Sequence, residues 1–335
     1  MNTSMEEYGQ EIDKLYQEND NIKISIVICT YSFDRYSDTM DVINSLNGQT
    51  YPNTEIVLII DQNTELLDKF KKDLKSFKDI KIGLSTLHGL SNARNKGVEL
   101  SSGDIIAFID DDAVADPNWV TNLAKGYIHQ SIIGVGGKIK PLWIDSTIAH
   151  WIPEEFYWAM GCSYKSQRDE KHYIRSNFGS NMSFRKDVFE KIGNFDSRLG
   201  IVGNLMRTGE ETEFSLRATN YIKNSKIVYD PDVIVYHKIF NFRKSISYLL
   251  KRCYSYGYAM GEINNGIGSD GNTENSFLKF LIQKSYIDRI KKIMMMNNCL
   301  INLSQTFVIT FFTICVGAGY LNKRYIIKNN IEQNS

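Results

Sequence analysis

Residues 103–120 read GDIIAFIDDDAVADPNWV, and the reading of this stretch decides the fold. Ile105, Ile106, Ala107, Phe108 and Ile109 form a short apolar run bounded by turn residues, the pattern of a buried strand. The run ends in Asp110, Asp111 and Asp112. In an open α/β sheet, ligands bind beyond the carboxyl ends of the strands. Three carboxylates there repel one another, and burying them unpaired is expensive. A divalent cation removes that cost, and Asp110 and Asp112 can share one if the chain turns. Hard carboxylate oxygens suit Mg2+ or Mn2+ better than Zn2+. The plainer alternative is an acidic turn capping the next helix. It accounts for Asp116 ahead of Pro117, but not for three aspartates behind an apolar strand.

Towards the N-terminus, apolar runs alternate with helical patterns. Residues 22–29 and 55–60 read as strands and 80–84 as a weaker one. Residues 37–47, 64–77 and 91–100 read as helices. This β-α-β-α-β-α-β succession predicts an α/β fold with a mostly parallel central sheet flanked by helices. Neither GxGxxG nor GxxxxGK[ST] follows the first strand, so a dinucleotide fingerprint and a P-loop are both disfavoured. A nucleotide must then be held at the strand ends, by Thr30 and Tyr31 after the first strand and Asp61 after the second. The Asp61 carboxylate can accept hydrogen bonds from a base or ribose, or cap a turn. Arg94 is a phosphate clamp if it stands beside the aspartates, and a solvated helix residue if it does not.

Beyond Val120 the signals are softer. GVGGKI at 134–139 is an apolar strand whose glycines fit either a bulge or a close backbone approach. Trp151, Phe156, Tyr157 and Trp158 make a dense aromatic segment suited to sugar stacking, a membrane edge or ordinary packing. Asn177 and Asn181 can bond sugar hydroxyls or cap turns. Glu210, Glu211 and Glu213 open a helix whose field favours ionised carboxylates. Glu210 or Glu211 can act as a general base, or simply as helix-capping charge. Residues 226–236, KIVYDPDVIVY, read as two short strands around Asp230-Pro231, and His237 follows at a strand end.

Formal net charge is zero, with 39 Lys+Arg against 39 Asp+Glu, which argues against a global nucleic-acid binder. The balance hides a polarity. Residues 241–335 hold twelve Lys/Arg and five Asp/Glu, a basic tail on an acidic body that fits a membrane surface. Five scattered cysteines with no CxxC pair indicate a reducing compartment and no cysteine metal site. The first twenty residues carry no apolar signal-peptide core, so the catalytic body is expected on the cytoplasmic face of the cell membrane. Residues 277–296 mix basic and apolar side chains as an interfacial helix does. Residues 300–321 carry no charge and, as a helix, would be about 33 Å long, enough to cross a bilayer core of about 30 Å. The segment can span, re-enter, lie in the plane or sit buried. A single straight span would put Lys323, Arg324 and Lys328 across the membrane from the body, against the positive-inside rule.

Several motifs in order carry a resemblance: IVICTY, EIVLIIDQN, GLSNARNKGVELSSGDIIAFIDDDAVADPNWV, NFGSNMSFRKDVFEKIGNFD and GEETEFSLR. Together, over residues 24–238, the chain resembles the family 2 inverting glycosyltransferases of GT-A fold. Within them CTYSFDRY, PEEFYW and DPDVIVYHKIFNFR look most like archaeal glucosyl-dolichyl-phosphate glucuronosyltransferases of protein N-glycosylation. The chain divides into a polar lead at 1–21 and, as the resemblance implies, a GT-A catalytic domain at 22–242. That domain would have a nucleotide-sugar and metal half at 22–120 and an acceptor half at 121–242. A basic helical region at 243–299, an apolar membrane segment at 300–321 and a polar tail at 322–335 would follow. The resemblance implies Asp61 at the nucleotide base, and Asp110 and Asp112 as the DxD pair. Asp112 would hold Mn2+ or Mg2+, Asp110 would contact ribose or metal-bound water, and Asp111 would lie on the sugar side. His237 matches a metal-ligand position. Glu211 stands where the family has an aspartate base, a departure that keeps Glu210 and Glu213 in play. Trp158, Asn177 and Asn181 would serve the sugar or acceptor. The implied partners are a nucleotide-sugar donor, probed first as UDP-linked glucuronate, and a dolichyl- or polyprenyl-phosphate-linked acceptor. Another hexose, a surface-polysaccharide acceptor, or a non-catalytic membrane-associated sugar-binding scaffold are the rival readings.

Overall fold

The computed structural model describes residues 22–145, 148–165, 167, 169–200, 208–266 and 272–334. Its first half is built as the periodicity predicts. The elements are β1 (Ile24–Thr30), α1 (Tyr36–Asn47), β2 (Thr54–Asp61), α2 (Thr64–Asp73), β3 (Ile80–Ser85), α3 (Leu90–Leu100) and β4 (Ile105–Asp110). All pairings among these four strands are parallel. Alternation in β1 divides the core. Ile24, Ile26 and Ile28 enter one apolar cluster and Val27 the cluster on the other face. Register places Cys29 beside Asp110 and Asp61 beside Ser85. The carboxyl ends carrying Thr30, Asp61 and Asp110 therefore share one sheet edge.

The second half comprises β5 (Ala113–Ala115), α4 (Trp119–Lys125), β6 (Ile132–Trp143), β7 (His172–Ile174), β8 (Met182–Arg185), α5 (Lys186–Ile192), α6 (Glu210–Tyr221) and β9 (Lys226–Ile239). The sheet order is β3-β2-β1-β4-β8-β6-β9-β5, with β7 on β9. Here the sheet is mixed. β8 runs against both β4 and β6, β5 and β7 run against β9, and β6 is parallel to β9. Strand direction depends on how each connection returns, which apolar alternation does not encode.

Residues 226–236 form one bulged strand rather than two short ones. Gly137 stands opposite Asp230 and Lys138 opposite Ile234, so Pro231, Asp232 and Val233 loop out of register. Pro231 has no N–H to give the ladder, which favours the bulge there. A Cβ on Gly137 would lie 2.0 Å from the Val233 carbonyl oxygen. The glycine-rich stretch thus serves both of its expected purposes, a bulge and a close backbone approach.

The remaining helices are α7 (Ile246–Gly266), α8 (Asn272–Phe280), α9 (Tyr286–Met294) and α10 (Cys299–Asn334). α7 and α10 lie side by side. Leu250 accepts from Cys315, a Cβ on Gly257 would meet Val316, and one on Gly319 would meet Tyr254. Residues 299–329 are long and apolar enough to cross a membrane, yet only 17 % of the most apolar window is buried. The two sides of α10 differ. Asn302, Ile309, Phe312 and Gly319 pack inward, whereas Leu300, Leu303, Phe307, Phe311, Ile314 and Leu321 point out. That apolar stripe is continued by exposed Met294, Met295 and Met296, and α10 is an apolar helix that fits association with a membrane. Polar ties fix α10 to the body. Gln305 accepts from Arg289 at 3.0 Å and donates to the His150 carbonyl at 2.7 Å. Arg289 also forks onto buried Glu155 at 2.8 and 2.9 Å.

Candidate active site

The aspartates leave β4 at the sheet edge, and β5 turns the chain back so that Ala113 pairs with His237 of β9. The Lys238 amide donates to the Asp112 carbonyl at 2.9 Å. Side-chain ligand atoms of Asp110, Asp112 and His237 consequently all lie within 4.8 Å of one another. The His237 Nε2 is 3.2 Å from Asp112 Oδ1. Arg35 and Arg243 both donate to Asp112 Oδ2, at 2.9 and 2.8 Å. Burial alone would push the Asp112 carboxyl up, but His237, Arg243 and Arg35 outweigh it and hold it well below the usual range. Asp111 behaves oppositely. Burial, then the adjacent Asp112 charge, push it up to about 8, although the Thr30 hydroxyl hydrogen-bonds to it.

Two carboxylates and an imidazole are a fitting donor set for Mn2+ or Mg2+. The fit is supported by orphaned buried atoms at the same place, Asp111 Oδ2 and His237 Nδ1. Gly161, at φ +85°, turns the aromatic segment so that its backbone abuts the His237 ring.

At the next strand end, Asp61 Oδ2 accepts from the Gly89 amide and His88 Nδ1, each at 3.0 Å. Its Oδ1 is buried and has no hydrogen-bond partner among the described residues. Tyr31 is exposed nearby, and its carbonyl accepts from Asn63. Arg94 is buried, not solvated. It donates to Glu210 at 2.7 Å and reaches Asp110 at 3.4 Å. Gly179 leaves room for it, since a Cβ there would lie 2.6 Å from Arg94 Nη2.

Glu210 and Glu211 begin α6, which is held in place by Phe214 among Phe184, Phe189 and Phe195 at 4.6–4.8 Å between ring centres. Glu213 turns away and forks onto Arg217 at 2.7 and 3.0 Å. Glu211 has no cationic partner among the described residues and lines a cavity of about 630 Å³ that also contains Asp110, His237 and Trp158. Burial, then the Glu210 charge, push its carboxyl up to about 8.

The two asparagines separate from this group. Asn181 accepts from Trp119 Nε1 at 2.9 Å and donates to the Val233 carbonyl at 2.8 Å, bracing the β9 bulge. Both of its N–H donors are committed, the second to the Lys138 carbonyl at 3.3 Å, and the side chain is buried. Asn177 sits over Gly136 with both amide atoms buried and without a partner among the described residues, and it does not line the cavity. Sequence reasoning passed over Arg35 and Arg243. Arg35 lies in CTYSFDRY and Arg243 in KIFNFR, six residues past His237, so the motifs contained them without indicating contact with Asp112.

Residues 25–193 match the family described as Glycosyl transferase family 2. The chain is 32 % identical over 302 residues to the glucosyl-dolichyl phosphate glucuronosyltransferase of Haloferax volcanii, covering 90 % of this chain and 96 % of that one. It is 24 % identical over 253 residues to the succinoglycan biosynthesis protein ExoM of Rhizobium meliloti, covering 73 % and 76 %. Among solved structures it resembles GalNAc-T7, crystallised with UDP, GalNAc and Mn2+, at a TM-score of 0.51 and 17 % identity, covering 79 % of this chain and 57 % of that chain. That last likeness is one of fold, and the fold is of GT-A type with a mixed central sheet. With the family match spanning half the chain and a relative aligned along almost its whole length, the chain belongs to glycosyl transferase family 2 and is a glycosyltransferase.

Proposed function

We propose that the protein is an inverting glycosyltransferase that moves a sugar, glucuronate in the leading reading, from a UDP-sugar to a hydroxyl of a polyprenyl-phosphate-linked saccharide. One observation carries it: a single cavity holds Asp110 and Glu211 and extends to Thr313, Val316 and Tyr320 of the membrane-associated helix. Donor chemistry and a membrane-borne acceptor therefore have a common chamber. The name of the Haloferax volcanii relative supports glucuronate and a dolichyl-type acceptor.

In this reading Asp61 Oδ1 accepts from the base, and Thr30 and Tyr31 border the nucleoside. Asp110, Asp112 and His237 would hold the divalent cation, which when bound supplies positive charge against the departing diphosphate. Glu210 is occupied by Arg94 and so positions that arginine beside Asp110. Glu211, with no cation on it, takes the proton from the acceptor hydroxyl. The hydroxyl oxygen bonds to the anomeric carbon as the bond to the diphosphate breaks on the opposite face, and the configuration inverts. Trp158, tilted against Tyr256 at 4.9 Å between ring centres, gives the acceptor sugar an apolar wall.

We further propose that α10 lies in the membrane plane rather than crossing it. Its inward face is tied to Arg289, His150 and Phe156, and only the opposite face is free for lipid. We also place the catalytic body on the cytoplasmic face of that membrane. The test is UDP release from a panel of UDP-sugars by membrane-reconstituted protein, with and without a glucosyl polyprenyl phosphate. Release that depends on the acceptor with a donor other than UDP-glucuronate would keep the transfer reaction and replace the sugar.

A further inference from the structure

The charges around the large cavity pair off, with two exceptions. Arg94 is tied to Glu210 and Asp110, Arg243 to Asp112, and Glu274 to Arg175. Among the described residues lining it, Glu211 is left without a cationic partner and Arg252 without an anionic one. Arg252 belongs to α7 and is half-buried, and its Nε is buried with no hydrogen-bond partner among the described residues. From α10, Thr313 contributes a hydroxyl that is equally buried and unpartnered. Both groups line the same chamber as Glu211, on the two helices that Gly257 and Gly319 allow into close contact.

A guanidinium partly withdrawn from water with no counter-charge is unfavourable in isolation. It becomes favourable when an anion arrives. A planar guanidinium fork and a hydroxyl are a donor set for a tetrahedral phosphoryl group, which accepts through several oxygens at once. The arrangement also has the polarity that a lipid-linked acceptor needs. The general-base carboxylate and the cation line one chamber, and α10 carries an exposed apolar stripe on its outer side.

We propose that Arg252, assisted by Thr313, is the subsite for the phosphoryl group that joins the acceptor sugar to its lipid. This rests on the lipid-linked acceptor reading above. It adds a place where the phosphate is held, so that the sugar hydroxyl is presented to Glu211 by anchoring the far side of the same residue. Recognition of the acceptor is then divided between an anion contact at Arg252 and lipid contact along α10, and neither depends on the donor site.

The test is direct binding, measured by titration calorimetry on the full-length protein in detergent micelles. Citronellyl phosphate is the probe, with citronellol and inorganic phosphate as separate arms. Arg252→Gln is expected to weaken citronellyl phosphate binding by about 10- to 100-fold, the loss of charge-assisted hydrogen bonds. Arg252→Lys should recover part of it, and Thr313→Val should lose several-fold. Lys251→Gln, at an exposed neighbouring position, should change nothing. Citronellol should bind weakly and equally to all of them. Unchanged affinity of a folded Arg252→Gln protein for citronellyl phosphate overturns the subsite, and if that variant does not fold, unchanged affinity of Thr313→Val does so. Inorganic phosphate binding as tightly, with the same dependence on Arg252, overturns the lipid source and makes a free anion the ligand. Arg252-dependent binding of citronellyl phosphate without acceptor-dependent UDP release from any donor supports the subsite and contradicts the transfer reading, so the two fail separately.

Discussion

Arg94 donates to Glu210 at 2.7 Å, joining α3 to the first residue of α6 across 116 positions of sequence. Both side chains are buried. Both glutamates line the cavity, and in the proposed mechanism this contact occupies Glu210 while Glu211 carries no cation and acts as the base. Substituting the two glutamates should therefore have different signatures. Glu211→Gln should lower kcat by about 10²- to 10⁴-fold, the range for a lost general base, without lowering stability. Glu210→Gln should act on stability, because a buried Arg94 then faces a neutral partner. Breaking a buried pair costs about 3–5 kcal/mol. Kinetics and thermal melting of the two variants, compared side by side, check the assignment.

The raised carboxyl of Glu211 sets a pH dependence with opposite signs for rate and stability. A base works ionised, so kcat/KM should climb with pH and level off above about 8. Stability runs the other way. A carboxyl whose folded value is raised contributes fully below its unfolded value of 4.5, and that contribution is lost as pH rises through about 8. Glu211→Gln has no such group, so it should gain melting temperature relative to the native protein between pH 5 and pH 9. Melting curves across that range test the sign. A constant difference would contradict it.

Asp112 is held by Arg35, Arg243 and His237 at 2.8–3.2 Å. A divalent cation at Asp112 must compete with two guanidinium groups. Mn2+ binding, followed by the loss of its electron paramagnetic resonance signal, should weaken at least tenfold in Asp112→Asn. In Arg35→Gln it should be retained or strengthened. Chelation should stop transfer, and either Mn2+ or Mg2+ should restore it. If Asp112→Asn bound Mn2+ as the native protein does, the ligand set would have to be sought elsewhere.

The in-plane reading of α10 has its own check. Cysteines introduced at Lys323 and Lys328, past the apolar window, should react with an impermeant thiol reagent from the same membrane side as the catalytic body. Labelling from opposite sides would make α10 a span and break the ties from Gln305 to Arg289 and His150.

Much of this was legible from residue order alone, and the reasons are physical. Buried parallel strands are continuous apolar runs, so β1, β2 and β4 were readable with their ends at Thr30, Asp61 and Asp110. The aspartate cluster stood out because an apolar strand leads straight into it. Strand direction in the second half was not legible, because β8 reaches its place through connections that carry no apolar period. Nor was the meeting of Arg35 and Arg243 on Asp112, which joins residues 77 and 131 positions away through sheet register. Asn181 carried the composition of a sugar ligand, yet its amide braces Trp119 and Val233. Residue type gave its hydrogen-bonding capacity but not who fills it.

The measurement closest to the central claim is UDP release by reconstituted protein offered UDP-glucuronate, Mn2+ and a glucosyl polyprenyl phosphate. The account predicts release that requires both the cation and the acceptor, and that falls at least a hundredfold in Glu211→Gln. Release that proceeds equally without the acceptor, or that survives loss of Glu211, would contradict a base-assisted transfer to a membrane-borne hydroxyl.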